Sequence, residues 1–301
     1  MSDDEIKNLN IQFPSIKIIE CISFKLIEVA THDFYQYLDD EKKYIHENTL
    51  SKCLKFFNSE KLENRKFCDF IQFFYEIIKS GINLDVAMEK SSVEKLSRQE
   101  SIYFLEYIDA VYPLLACIKK VSDKNFLPSY IYTSINDLLK EFEQLSENSN
   151  ENIHLKNIMT FMVNIIKQKF ADCIDKEPVN KFFLLSSIVN PETKQYVLKN
   201  ISDNLKVIGH LAAYIENEYK EKNKELEIMG YLCEPDSSFS ESLKKWDLIR
   251  NIFMELNSTL CVAQPTVDIL ASNYLLDIMR SDFDGQTKQK IIIGQSQSKL
   301  C

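Results

Sequence analysis

Apolar positions recur along this chain at helical spacing over most of its length. Ile16, Ile18, Ile19, Ile22, Leu26 and Ile27 fit strand and helix periods alike. Their β-branched density predicts a short strand at the start of that segment, followed by a helix from about Phe24 to Leu38. The next expected helix, about Glu41 to Phe57, puts Tyr44, Ile45, Leu50, Leu54 and Phe57 on one stripe. A third, Lys66 to Lys79, carries Phe67, Phe70, Ile71, Phe74 and Ile78, with Gly81 as its stop. Residues 82–96 hold a shorter helical piece ending in Ser91-Ser92.

The stretch from Ser97 to Lys194 is the organising one. Ser97-Arg98-Gln99-Glu100 is a capping-box pattern ahead of a long apolar run, Ile102 to Val121, with Pro113 inside it and Pro128 shortly after. A second helix carries Tyr130, Ile131, Ile135, Leu138, Leu139 and Phe142. After a polar joint at Ser146 to Asn152, a third carries Ile153, Ile158, Phe161, Ile165, Ile166 and Phe170. The stretch closes on Phe182 through Val189 and then Asn190-Pro191-Glu192-Thr193-Lys194. A short helix to about Asn200 is expected next. A long one follows from Ser202 to about Lys224, apolar at Leu205, Ile208, Leu211, Ala212 and Ile215. Its second half, Glu216 to Glu225, mixes Glu with Lys and reads as a solvated face. Pro235-Asp236-Ser237-Ser238 breaks the chain. Helix 241–259 then bears Leu243, Trp246, Leu248, Ile249, Ile252, Phe253 and Leu256, and Pro265 opens a helix from Thr266 to Arg280. Residues 1–15 and 281–301 read as flexible ends, 16–234 as one helical domain and 235–280 as C-terminal helices. No repeat of solenoid period is visible.

Composition narrows the class. With only 5 Gly and 7 Pro in 301 residues, a many-stranded sheet would lack turn-makers, so the expected fold is mainly α, a multi-helix bundle. A net charge of −9 disfavours a nucleic-acid or anionic-membrane surface. The 8 cysteines stand singly, without zinc-like pairs, and are expected as buried reduced thiols. Met1-Ser2-Asp3-Asp4-Glu5 is acidic and no secretory apolar core follows it. No run of about 18 apolar residues is expected to span a bilayer. The implied compartment is nucleus or cytoplasm.

Little chemistry stands out. There is no Gly-rich phosphate loop, no G-x-S-x-G and no H-E-x-x-H. His32-Asp33 beside Asp39-Asp40 has metal-ligand residue types, but helix-end polarity explains it more simply. His210 follows Gly209 on an apolar face and is expected to be a core histidine. Trp246, at helical spacing among Leu and Ile, is expected to be a core anchor and not a base-stacking platform. Tyr103, Tyr107 and Tyr112 have no interleaved Lys/Arg stripe and are expected in a core or interface. The expected catalytic, cofactor-binding and metal-binding sets are therefore all empty.

Taken in order, several segments resemble the C-terminal half of hAT-superfamily transposases. Cys21-Ile22-Ser23-Phe24-Lys25-Leu26 stands where that family has C-x-x-H-x-L. Lys66-Phe67-Cys68-Asp69-Phe70, with Phe73-Phe74, stands at its R-W-N-S-T element. Val111-Tyr112-Pro113-Leu114 matches its L-x-P-F helix, and Phe126-Leu127-Pro128-Ser129-Tyr130 through Leu138-Leu139 its P-T-S helix. Lys169-Phe170 matches an R-F pair, and Val189-Asn190-Pro191-Glu192-Thr193-Lys194 the D-P-R-x-K close. Leu270-Ala271-Ser272-Asn273-Tyr274-Leu275 is similar to the start of the family's dimerisation segment.

The resemblance implies the all-helical insertion region of such an enzyme, with at most a short N-terminal strand remnant of an RNase H-like core. It makes residues 235–280 a dimerisation remnant. The family's two Asp and one Glu, which hold divalent metals for strand cleavage, have no counterpart. Phe24 replaces the motif His, only 20 residues precede Cys21, and Met279-Arg280-Ser281-Asp282-Phe283 lacks the terminal Glu. The expectation is a non-catalytic, transposase-derived protein acting through protein partners, a second copy of itself among them, without cofactor, membrane or direct nucleic-acid binding. The alternative is an unrelated all-α adaptor or scaffold.

Overall fold

The structure is a computed structural model and describes residues 22–60, 67–123, 126–149, 153–171, 182–200, 204–220, 224–234 and 244–257. Among them the chain is mainly helical, with no strand. The chain divides into two compact units, Cys21–Lys120 with Glu141–Ile165, and Val121–Lys140 with Ile166–Val262.

In the first of these units the segment expected to waver between strand and helix is helical from Ile22. The helix α1 (Ile22–Glu28) runs into a π-helical turn, Val29–Asp33, and then α2 (Phe34–Tyr37). The start of that segment, where the strand was expected, lies outside the described residues, as does Cys21. In the π turn the Phe34 N–H reaches back to Val29 O, and Thr31 Oγ1 donates to Ile27 O at 2.7 Å. The Tyr107 hydroxyl lies 3.5 Å from Ala30 O, so the widened turn meets a polar group from the long helix.

Helix α3 (Asp40–Ser59) begins where Asp39 caps it, its carboxylate accepting from Lys42 N at 2.9 Å. The Asp39 carboxylate oxygens are thus spent on a helix end and on the Lys42 ammonium. The stripe of α3 is rotated from the one the spacing predicts. Tyr44 is 68% exposed, and His46, Leu50, Cys53, Leu54 and Phe57 are buried. Tyr44 precedes the inward register by two positions, so its ring leaves the face that His46 enters.

Helix α4 (Phe67–Lys79) buries Phe67, Phe70, Ile71 and Phe74 as expected. The Phe70 and Phe74 rings mesh with Phe56, Phe57 and Phe104 at centroid separations from 4.9 to 6.5 Å, tilted or edge-on, as the aromatic quadrupole favours. Gly81 closes the helix with φ +72°, its N–H bonded to Ile78 O. Helix α5 (Leu84–Lys90) is capped by Asn83, which accepts from Val86 N at 3.2 Å.

The capping box opens α6 (Arg98–Val121). Ser97 N donates to Glu100 Oε2 at 2.6 Å and Glu100 N donates to Ser97 Oγ at 3.2 Å. Glu100 is buried and pairs with Lys52 of α3 at 3.1 Å, and Lys52 also reaches Glu94 at 2.7 Å. Burial pushes the Glu100 carboxyl up, but the Ser97 N–H and the Lys52 ammonium outweigh it and hold it below the usual range. Pro113 lies inside α6 and gives up one ladder bond, yet the helix runs on through it because Val111, Pro113, Leu114 and Leu115 are all buried. By length and composition alone, α6 is apolar enough to cross a membrane. Of its apolar window 67% is buried inside the protein, which is what a core helix requires.

The other unit contains a 3-10 turn, Pro128–Tyr130, that leads into α7 (Ile131–Asn148). It also holds the end of α8 (Ile153–Lys169), followed by α9 (Phe182–Val189), α10 (Lys194–Asn200), α11 (Asn204–Tyr219), α12 (Glu225–Cys233) and α13 (Asp247–Asn257). The single helix expected to run to Lys224 ends at Tyr219, where Lys220 takes a left-handed φ of +58°, and α12 begins afresh. The inward face of α11 is Val207, Leu211 and Ile215, and Leu205 is 75% exposed, outside the predicted stripe. Cys53 and Cys117 are buried and Cys68 is half-buried, as expected of packed thiols, but Cys233 is exposed. The expected flexible ends at 1–15 and 281–301, the Pro235–Ser238 break, the helix 266–280 and the remaining cysteines lie outside the described residues.

Two glycines give opposite expectations. Gly81→Ala meets no atom but must hold φ +72°, and is expected to lower stability by about 1 kcal/mol. Gly209→Ala, in the interior of α11 with equal space, is expected to raise it by about 0.5–1 kcal/mol. Urea denaturation of both variants measures this.

At the capping box, Glu100→Gln keeps the acceptor for Ser97 N but loses the charge that Lys52 needs, whereas Glu100→Ala loses both. The Gln variant is expected to retain part of the stability and the Ala variant to lose roughly 2–4 kcal/mol. Equal losses in the two would refute the shared role.

Candidate functional site

Polar side chains gather at two buried places, one in each unit. The first follows from α9. All eight residues of Phe182–Val189 are buried, so Ser186 and Ser187 enter the interior and need partners there. Ser186 Oγ donates to Phe183 O at 3.0 Å. Ser187 Oγ donates to Ser129 O at 2.6 Å, which ties α9 to the 3-10 turn. Asn190, fully buried after the helix, donates from Nδ2 to Ser129 Oγ at 2.8 Å and accepts at Oδ1 from Glu192 N at 3.0 Å. Thr193 Oγ1 donates to Ser187 O at 2.6 Å, and Ser129 N donates to Asn257 Oδ1 at 3.0 Å. The Tyr130 hydroxyl also bonds to the Glu192 carboxylate.

Lys194 completes this junction. It is fully buried, its ammonium donates to Tyr231 O at 2.9 Å, and it stands 4.4 Å from the centre of the Tyr231 ring. The Tyr231 hydroxyl donates back to Ile188 O at 3.2 Å, and burial pushes its pKa well up. Asn190-Pro191-Glu192-Thr193-Lys194 is therefore a helix junction whose polar atoms are committed to α9, α12 and the Pro128–Tyr130 turn, and the turn itself is tied to α13 through Ser129.

Beside it stands Trp246. Its indole N–H donates to Glu234 Oε2 at 2.7 Å, and Lys245 reaches the other Glu234 oxygen at 3.0 Å. A Cβ on Gly230 would come within 2.8 Å of the indole ring, so the glycine is what lets the ring lie against α12. Trp246 is half-buried, a packing residue with a polar tip.

The second place is His46, fully buried among Phe34, Tyr35, Tyr103 and Tyr107 with ring centroids 5.2 to 6.0 Å away. Its Nδ1 shares a 2.7 Å hydrogen bond with the Tyr103 hydroxyl. Burial lowers its pKa to about 3, so the imidazole is neutral. His46 is not among the residues singled out from the sequence, although it precedes Leu50, Cys53 and Phe57 by four, seven and eleven residues, which is one helical face.

The other singled-out residues are scattered among these elements. His32 and Asp33 sit in the π turn, apart in role from the capping Asp39, and no group of three metal-ligating side chains occurs among the described residues. Tyr103 and Tyr107 are buried, as expected, and Tyr112 is half-buried and stacks on Tyr75. His210 is half-buried on α11 instead of deep in a core. Comparison of the chain with known protein families, with characterised proteins and with solved structures finds no match.

The buried imidazole sets a pH dependence. Its folded pKa of about 3 lies below the unfolded 6.5, so the unfolded chain binds the extra proton between them. Stability is expected to fall as pH drops below about 6.5, by up to ~1.4 kcal/mol per pH unit. His46→Gln, which does not titrate, should flatten the curve between pH 6.5 and 5. An unchanged slope in urea melts across that interval would refute it.

Asn190→Ala strands Ser129 Oγ and Glu192 N together, and is expected to cost roughly 2–3 kcal/mol. Glu192→Ala, which only frees the Tyr130 hydroxyl at the surface, is expected to cost less than about 1 kcal/mol. Paired thermal melts distinguish the two.

Proposed function

We propose that this chain is a non-catalytic, transposase-derived helical protein that acts through contacts with other proteins, with a nuclear regulatory complex as the setting such descent implies. One observation carries the reading: what the residues at the motif positions do. Phe70 and Phe74 fill the aromatic core, and Pro113 and Leu114 lie on the buried face of α6. Pro128 and Ser129 form a buried turn, and Asn190, Thr193 and Lys194 join buried helices. These are packing and joining roles, the part of an ancestral helical region that survives when chemistry does not. Exposed apolar side chains supply surface for partners: Leu226 at 83% and Met254 at 61% in one unit, Ile102 and Leu105 in the other.

The test is twofold. The purified protein is expected to leave duplex DNA uncut with Mg2+ or Mn2+ and to give no sequence-independent retardation at low salt, consistent with its net charge of −9. Cross-linking in its own cells is expected to recover a defined protein set, reduced several-fold by Leu226→Lys with the fold intact. Metal-dependent strand cleavage would sink the reading. Partner capture by a chain whose relatives lack any transposase would favour the unrelated adaptor.

A further inference from the structure

We draw no further inference here: the strongest candidate, the exposed apolar face of α6 at Ile102 and Leu105, is an unpartnered helix surface, and nothing in the structure shows what covers it.

Discussion

A polar group taken out of water must find a partner inside, because an unmatched one costs more than a typical packing contact returns. Both units of this protein are shaped by that requirement. The long helix α6 starts in a partly buried place only because Ser97 and Glu100 answer each other's amides and Lys52 answers the carboxylate. Helix α9, buried along its whole length, presents two hydroxyls to the interior, and Ser129 O in the 3-10 turn and Phe183 O in the helix's own first turn receive them. Among the described residues, Thr49 Oγ1 and Ser134 Oγ are buried without a hydrogen-bond partner, so the rule is followed closely but not everywhere.

Charge is treated differently in the two interiors. His46 escapes the cost of a buried cation by remaining neutral against Tyr103, in a ring of aromatic side chains. Lys194 is met by a main-chain carbonyl and the face of Tyr231. Lys52, nearer the edge, has two carboxylates, and although burial alone would lower its pKa their pull raises it. Each solution uses what its helix register supplies: the imidazole is short and aromatic, and the lysine stems reach across to another element.

Helix existence was largely legible in the chain, and helix facing less so. The α4 stripe, the Gly81 stop and the Ser97–Glu100 box carry strong local physics, since alternation of apolar residues, a left-handed glycine and a reciprocal cap each act within a few residues. Tyr44 and Leu205 were misfaced because an apolar side chain near a helix start can lie on either side of the stripe, and only distant contacts decide. The break after Tyr219 was hidden because Lys220 carries no glycine or proline signal for its left-handed backbone. The junction was half visible. Pro191 marks an end to the apolar run, and Ser186 and Ser187 stand inside that run without a sign of what they bond. Ser129, the partner of Ser187, lies 58 residues before it, too far for any local pattern to point to it.

The half-buried indole leaning on Gly230 has a practical side. Trp246 is the only tryptophan in the chain, and its ring contacts α12 while its N–H is held by Glu234. Tryptophan-selective fluorescence, excited where the 14 tyrosines do not absorb, therefore comes from this one ring, so a red shift or stronger iodide quenching reports a change in the packing of Trp246 against α12.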